Sequence, residues 1–333
     1  MYGAATLAGG PERDAAMSQP TNTAYLFTGQ GAQSPGMGRE LAEKFPRVRE
    51  LFSQADEIVG FELSEACVQG DAVALEQTEL QQPAIFLVSV AYLEVFRELC
   101  GQAHPMRAAA GLSLGEYTAL HAAGAVDFAG ALKLVRQRGR LMQEAGVKQP
   151  AGMVCLVNIP QEDAERICRQ AAGDEVLALA NLNCPGQIVV SGSKGACGRA
   201  LKLAPEFGGR AVELPVSGAF HSPLMRDAAE ELKTHLDRTP FESPAVPVYS
   251  NVTAQPHTDP AGIRDLLYRQ MTSPVLWQQC VENLNAAGFG SSVELGPGRV
   301  LSGLMRRINR SFECRNVGSV GAMEKAAAEQ SVA

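Results

Sequence analysis

Three side chains stand out by type and setting: a serine between two glycines, a histidine in an irregular junction, and an arginine on an apolar helix face. Gly111-Leu-Ser113-Leu-Gly115 has the GxSxG pattern, with a short buried strand before it and a small-residue helix after it. Glycines at both ends permit a sharp, strained turn that pushes a serine hydroxyl out at a helix N-terminus. The next backbone N–H, on Leu114, then points at any oxyanion formed on an attacked carbonyl. The plainer alternative is a glycine-rich turn holding an N-cap serine; the flanking strand and helix favour a nucleophile elbow.

A serine nucleophile needs a base, and the chain has 5 His. His121 lies on the helix that follows Ser113, and at ~1.5 Å rise per residue it is about 12 Å away. His104 precedes the elbow strand and belongs at its far end. His235 sits in a charged helix and His257 in a Pro-rich loop. His221, in Ser217-Gly-Ala-Phe-His-Ser-Pro223, occupies the kind of small-residue junction that presents catalytic side chains. It is the candidate base, against the alternative of a structural histidine.

Arg138 falls in the middle of a stripe formed by Ala131, Leu134, Val135, Leu141, Met142 and Ala145 on a helix spanning about 129–145. A buried guanidinium requires an anion, because an unpaired buried charge costs several kcal/mol. Either an internal Asp or Glu supplies it, or a substrate carboxylate does, gripped by two parallel hydrogen bonds.

The elements that must carry these residues follow from the hydropathy pattern. Short apolar runs alternate with helical periodicity through residues 24–149, which predicts a mostly parallel sheet covered by helices. With the elbow, this is an α/β-hydrolase-like body. Residues 150–216 read strand-helix-strand-strand-helix-strand, the pattern of an inserted ferredoxin-like subdomain. The body resumes over 217–321. Residues 1–23, with no basic start or continuous apolar run, are expected as a flexible extension and 322–333 as a tail.

Composition narrows the function. The 333 residues carry 29 Lys+Arg against 36 Asp+Glu, a formal charge of −7 without a basic block, so no nucleic-acid partner is expected. The longest apolar run, 83–93, is short of the roughly 20 residues of a membrane span, so no membrane partner is expected either. The 8 Cys form no CxxC pair, which fits reduced thiols and a cytoplasmic location. No metal-ligand spacing is present. The glycine-rich stretch Gly29–Gly38 has Met37 where a phosphate loop needs Lys and Ser34 where a dinucleotide fingerprint needs Gly. It fits better as a loop that brings backbone N–H groups to a reacting centre.

The motifs together resemble the malonyl-CoA:acyl carrier protein transacylases and the related, including trans-acting, acyltransferases of polyketide synthases. The resemblance spans about 24–312. It rests on Phe27-Thr-Gly-Gln-Gly-Ala-Gln33, Gly111-Leu-Ser-Leu-Gly-Glu-Tyr117 and Arg136-Gln-Arg-Gly-Arg140, followed by Asn183-Cys-Pro-Gly-Gln-Ile-Val-Val-Ser-Gly192. Gly218-Ala-Phe-His-Ser-Pro-Leu-Met225, Ser250-Asn-Val-Thr253 and Glu294-Leu-Gly-Pro-Gly298 complete the order. It implies Ser113 as the acylated nucleophile, His221 as its base, and the N–H groups of Gln30 and Leu114 as oxyanion hole. It implies Arg138 as the malonyl carboxylate's partner and the main-chain carbonyl of Gln270 as the group orienting the histidine. Phe220 and Asn183 are expected to contact substrate, and Glu116 to help shape the site. Leu112 departs from the family's usual His, which alters pocket polarity. The Ala-Phe-His form at 219–221 resembles the malonyl-selective one. The implied partners are malonyl-CoA, a CoA thioester used as substrate, and an acyl carrier protein, with no bound cofactor. An acyl hydrolase of the same fold and a silent docking module are the alternatives; a buried cation argues against the first and an intact Ser-His-Arg set against the second.

Overall fold

The computed structural model describes residues 22–70, 74–216 and 218–330. The expected extension therefore lies outside the described residues up to 21, as does Ser217 at the second junction; Thr23 already opens the first strand. Strands β1 (Thr23–Phe27), β2 (Met106–Gly111), β7 (Val248–Tyr249), β8 (Ser291–Leu295) and β9 (Glu313–Asn316) form a five-stranded sheet in the order β7-β2-β1-β8-β9. Every pairing in it is parallel.

The sheet is covered on both faces, and the central strands show it by alternation. Tyr25 and Phe27 pack with the apolar helix Thr78–Cys100, while Ala24 and Leu26 pack with Trp277 and Leu304 on the other side. In β2 the same two faces are served by Ala109 on one side and Ala108 and Ala110 on the other. Such small side chains let the covering helices come close to the sheet.

A second sheet, of β3 (Ala151–Val157), β4 (Leu177–Cys184), β5 (Gln187–Ser193) and β6 (Arg210–Glu213), is wholly antiparallel in the order β4-β5-β3-β6. Val154, Leu156 and Val190 face helices Gln161–Ala172 and Lys194–Leu203 and close a core of their own. Met153, Cys155 and Val189, on the opposite face, line a cleft against the parallel sheet's loops. Backbone bonds from Leu182 N–H to Val275 O (2.9 Å) and from Val275 N–H to Ala180 O (2.8 Å) tie the second sheet to the first unit.

The apolar run 83–93 lies within helix Thr78–Cys100, with Pro83 inside it. One element differs from the sequence reading. The stretch read as a tail from 322 belongs to helix Val320–Gln330, which buries Met323 and Ala326 in the main core. Its small residues give little hydrophobic signal on their own.

Candidate active site

Ser113 joins β2 to helix Leu114–Ala122 with φ 54° and ψ −101°, a conformation costly for any residue with a Cβ. The neighbouring glycines make that turn feasible. A Cβ on Gly111 would lie 2.0 Å from the Gly115 backbone carbon, and one on Gly115 would lie 2.2 Å from the Phe27 carbonyl oxygen. Asn251 pins the turn: its Oδ1 accepts from Ser113 N–H at 2.6 Å and its Nδ2 donates to Gly111 O at 2.8 Å.

His221 also has a positive φ, 58°, and is buried. Its Nδ1 lies 2.8 Å from the carbonyl oxygen of Gln270 and its Nε2 lies 2.8 Å from Ser113 Oγ. A carbonyl only accepts, so Nδ1 carries the proton and Nε2 is left to accept from the serine hydroxyl. Burial, and after it the nearby Arg138 cation, lowers the His221 pKa from 6.5 to about 3; the Gln270 carbonyl offsets part of this. The ring is therefore neutral at pH 7, the state a proton acceptor needs.

Arg138 is fully buried on helix Phe128–Lys148. Its Nη1 donates to Gln82 Oε1 at 2.8 Å, and its Nη2 donates to Ser113 Oγ at 2.9 Å and to Gln270 Oε1 at 3.0 Å. The guanidinium carbon sits 5.5 Å from the centre of the Tyr117 ring, within cation–π range. No Asp or Glu of the described residues forms an ion pair with it. The internal salt bridge considered from sequence is not found; two amides and a hydroxyl bond the guanidinium directly, and the buried Glu116 carboxylate adds attraction through space.

Ser113 and His221 open onto a cleft of about 320 Å³ between the two sheets, lined also by Gln30, Leu112, Asn183 and Phe220. Gln30 lies on the turn after β1, close behind Gly29, whose Cβ would lie 2.2 Å from the Leu112 carbonyl oxygen. Leu114 is the first helical residue, where an N–H has no carbonyl one turn back. The amide oxygen of Asn183 is buried with no hydrogen-bond partner.

Glu116 is not part of the cleft wall. It is buried behind the elbow, where one carboxylate oxygen accepts from Asn251 N–H (3.0 Å) and Gln270 Nε2 (2.7 Å). The other oxygen meets His257 Nε2 at 2.7 Å in a fully buried pair. Sequence reasoning missed Gln82, Asn251 and His257. Asn251 stands in the quoted Ser250–Thr253 motif, a usable signal; one of two adjacent Gln at the start of an apolar helix and a His in a Pro-rich loop have none. Glu294, in the quoted Glu294–Gly298 motif, accepts from the N–H groups of Leu301 and Ser302 and so caps the next helix.

A serine and an oriented histidine on one cleft, with a buried cation that no carboxylate pairs bonded to the serine, can acylate that serine with a donor that bears a carboxylate. Comparison with known proteins agrees. The acyl transferase domain model matches residues 24–332. The malonyl CoA-acyl carrier protein transacylase of Bacillus subtilis strain 168 is 42% identical over 292 residues, covering 87% of this chain and 91% of that one. The Escherichia coli K12 protein of the same name is 39% identical, covering 92% and 99%. Among solved structures, an acyl carrier protein S-malonyltransferase from Vibrio cholerae superposes with a TM-score of 0.87 at 40% identity, covering 92% and 99%. A malonyl-transacylase solved with its type II polyketide acyl-carrier protein superposes at 0.89 with 36% identity, covering 93% and 100%.

Proposed function

The chain belongs to the acyl transferase domain family, and from that premise we propose that it moves malonyl groups from malonyl-CoA to the phosphopantetheine thiol of an acyl carrier protein. The observation that carries this reading is a buried Arg138 with no Asp or Glu paired to it, within hydrogen-bond distance of a serine already paired with a neutral histidine.

In the first half-reaction Ser113 Oγ attacks the thioester carbonyl while His221 Nε2 takes the hydroxyl proton. The N–H groups of Gln30 and Leu114 receive the oxyanion. The C–S bond breaks, and the CoA sulfur leaves with the proton held by His221. In the second half the carrier thiol gives its proton to His221 and attacks the acyl-serine, and the C–O bond breaks as Ser113 regains a proton. Throughout, Gln270 keeps the imidazole tautomer fixed and Arg138 holds the malonyl carboxylate. Phe220 and Asn183 line the acyl path, and Phe220 fills the space of an α-methyl branch, a contact worth ~1–3 kcal/mol of selectivity.

The sheet order β4-β5-β3-β6, with a helix after β3 and after β5, supports reading 150–216 as a ferredoxin-like subdomain. It would be inserted in an α/β-hydrolase-like body of 24–149 and 217–321. The cysteines other than Cys100 are free thiols, in keeping with a cytoplasmic enzyme serving fatty-acid or polyketide synthesis.

The test is acceptor choice. With malonyl-CoA and a phosphopantetheinylated carrier protein, malonyl should accumulate on the carrier. Release of free malonate at the same rate with or without carrier would instead make the protein a hydrolase.

A further inference from the structure

Arg138 does not wait in the cleft with its donors free. Nη1 is taken by Gln82, and Nη2 is shared between Gln270 Oε1 and the nucleophile itself, Ser113 Oγ, at 2.9 Å. The serine oxygen thus donates to His221 and accepts from a full positive charge in a buried site. A lone pair held by a guanidinium is a poorer nucleophile than a free one. The proton that attack delivers to His221 would also create a second cation beside the first, which a low-dielectric site opposes.

We propose that Arg138 restrains Ser113 in the unliganded enzyme and that a carboxylate arriving on the guanidinium releases it, so the acyl group's own anion switches on the nucleophile. A carboxylate gripping the guanidinium competes for Nη2, which frees the serine lone pair. Its negative charge then offsets the imidazolium formed during attack. Selectivity for carboxylated donors arises accordingly in the acylation rate as well as in binding. Burial and the Arg138 charge already hold the resting His221 weakly basic, which agrees with the same restraint.

The inference rests on the assignment of Ser113 as nucleophile and of Arg138 as the carboxylate's partner. Its test separates the restraint from malonyl transfer by using a neutral reagent and a detached anion. Methanesulfonyl fluoride labels an activated serine: an O–S bond forms, fluoride leaves, and the hydroxyl proton passes to the base. Sodium formate, small enough to occupy Arg138 and leave the serine open, replaces chloride at equal ionic strength. Formate should accelerate Ser113 labelling about tenfold, the size expected on releasing one charge-assisted hydrogen bond. Arg138→Ala should label at the accelerated rate without formate and gain nothing from it. Unchanged or slower wild-type labelling in formate would overturn the proposal, and that comparison stands whether or not the variant folds. Malonyl-CoA acylation measured on the same wild-type sample reports the transfer reading separately, since formate acceleration does not depend on it.

Discussion

Ser113 and His221 are two of the four non-glycine residues with positive φ among the described residues, so backbone strain is concentrated where the chemistry is. Both were legible from their neighbours: small residues around a lone Ser or His announce an unusual turn. Arg138 was legible from helical period alone. Among their fixing partners Asn251 shows only as part of a motif, and Gln82 and the Gln270 side chain not at all, because the three reach the site across 138, 56 and 132 residues of chain. The buried imidazole has a measurable consequence. Its pKa falls from 6.5 to about 3 on folding, first by burial and then by Arg138, so between those values the unfolded chain binds a proton that the folded one refuses. Stability from this group is complete above 6.5 and is lost as pH falls toward 3. His221→Gln should therefore show a shallower fall of the urea midpoint across that window than the wild type. Parallel curves would mean that the folded ring titrates like a solvated one.

At the scale of elements, the elbow depends on how closely β1, β2 and helix Leu114–Ala122 approach. Gly111→Ala places a methyl group 2.0 Å from backbone at Gly115, where nothing flexible can yield. A loss of roughly 3 kcal/mol or more is expected, together with loss of Ser113 acylation. Gly303→Ala is the contrast: nothing lies within 4 Å on helix Val300–Ile308. There Ala should raise stability by up to about 1 kcal/mol and leave acylation intact. Urea midpoints of the two variants decide it; similar losses in both would remove the close-approach argument. Glu116 extends the same element outward, since its carboxylate ties the elbow helix to Asn251, to His257 and to the Gln270 side chain. The resemblance implies that Glu116 helps shape the site, but only the fold puts a helix and a loop against it. The helix at Val320 is hidden in sequence for a related reason, as burial sustains a weakly apolar stretch.

At the scale of the molecule, the cleft exists because an antiparallel sheet is tied across the loops at one end of a parallel one. The alternation of strand and helix signals made both sheets legible, but not which face of the second sheet looks at Ser113. Met153, Cys155 and Val189 supply an apolar wall there, and Asn183, like Gln81, brings an amide oxygen that is buried without a partner. If that wall orients the thioester, Asn183→Leu should raise KM for malonyl-CoA by about tenfold, the cost of one hydrogen bond in a dry site. Labelling of Ser113 by a small sulfonyl fluoride should not change. Equal damage to both would indicate a general disturbance of the cleft.

The most direct test of the account is intact-protein mass spectrometry after brief exposure to malonyl-CoA or acetyl-CoA. One malonyl adduct per chain is predicted on the wild type and none on Ser113→Ala, with Arg138→Ala losing roughly two orders of magnitude in malonylation and none in acetylation. A malonyl adduct that persists in Ser113→Ala, or equal losses with both donors in Arg138→Ala, would contradict it.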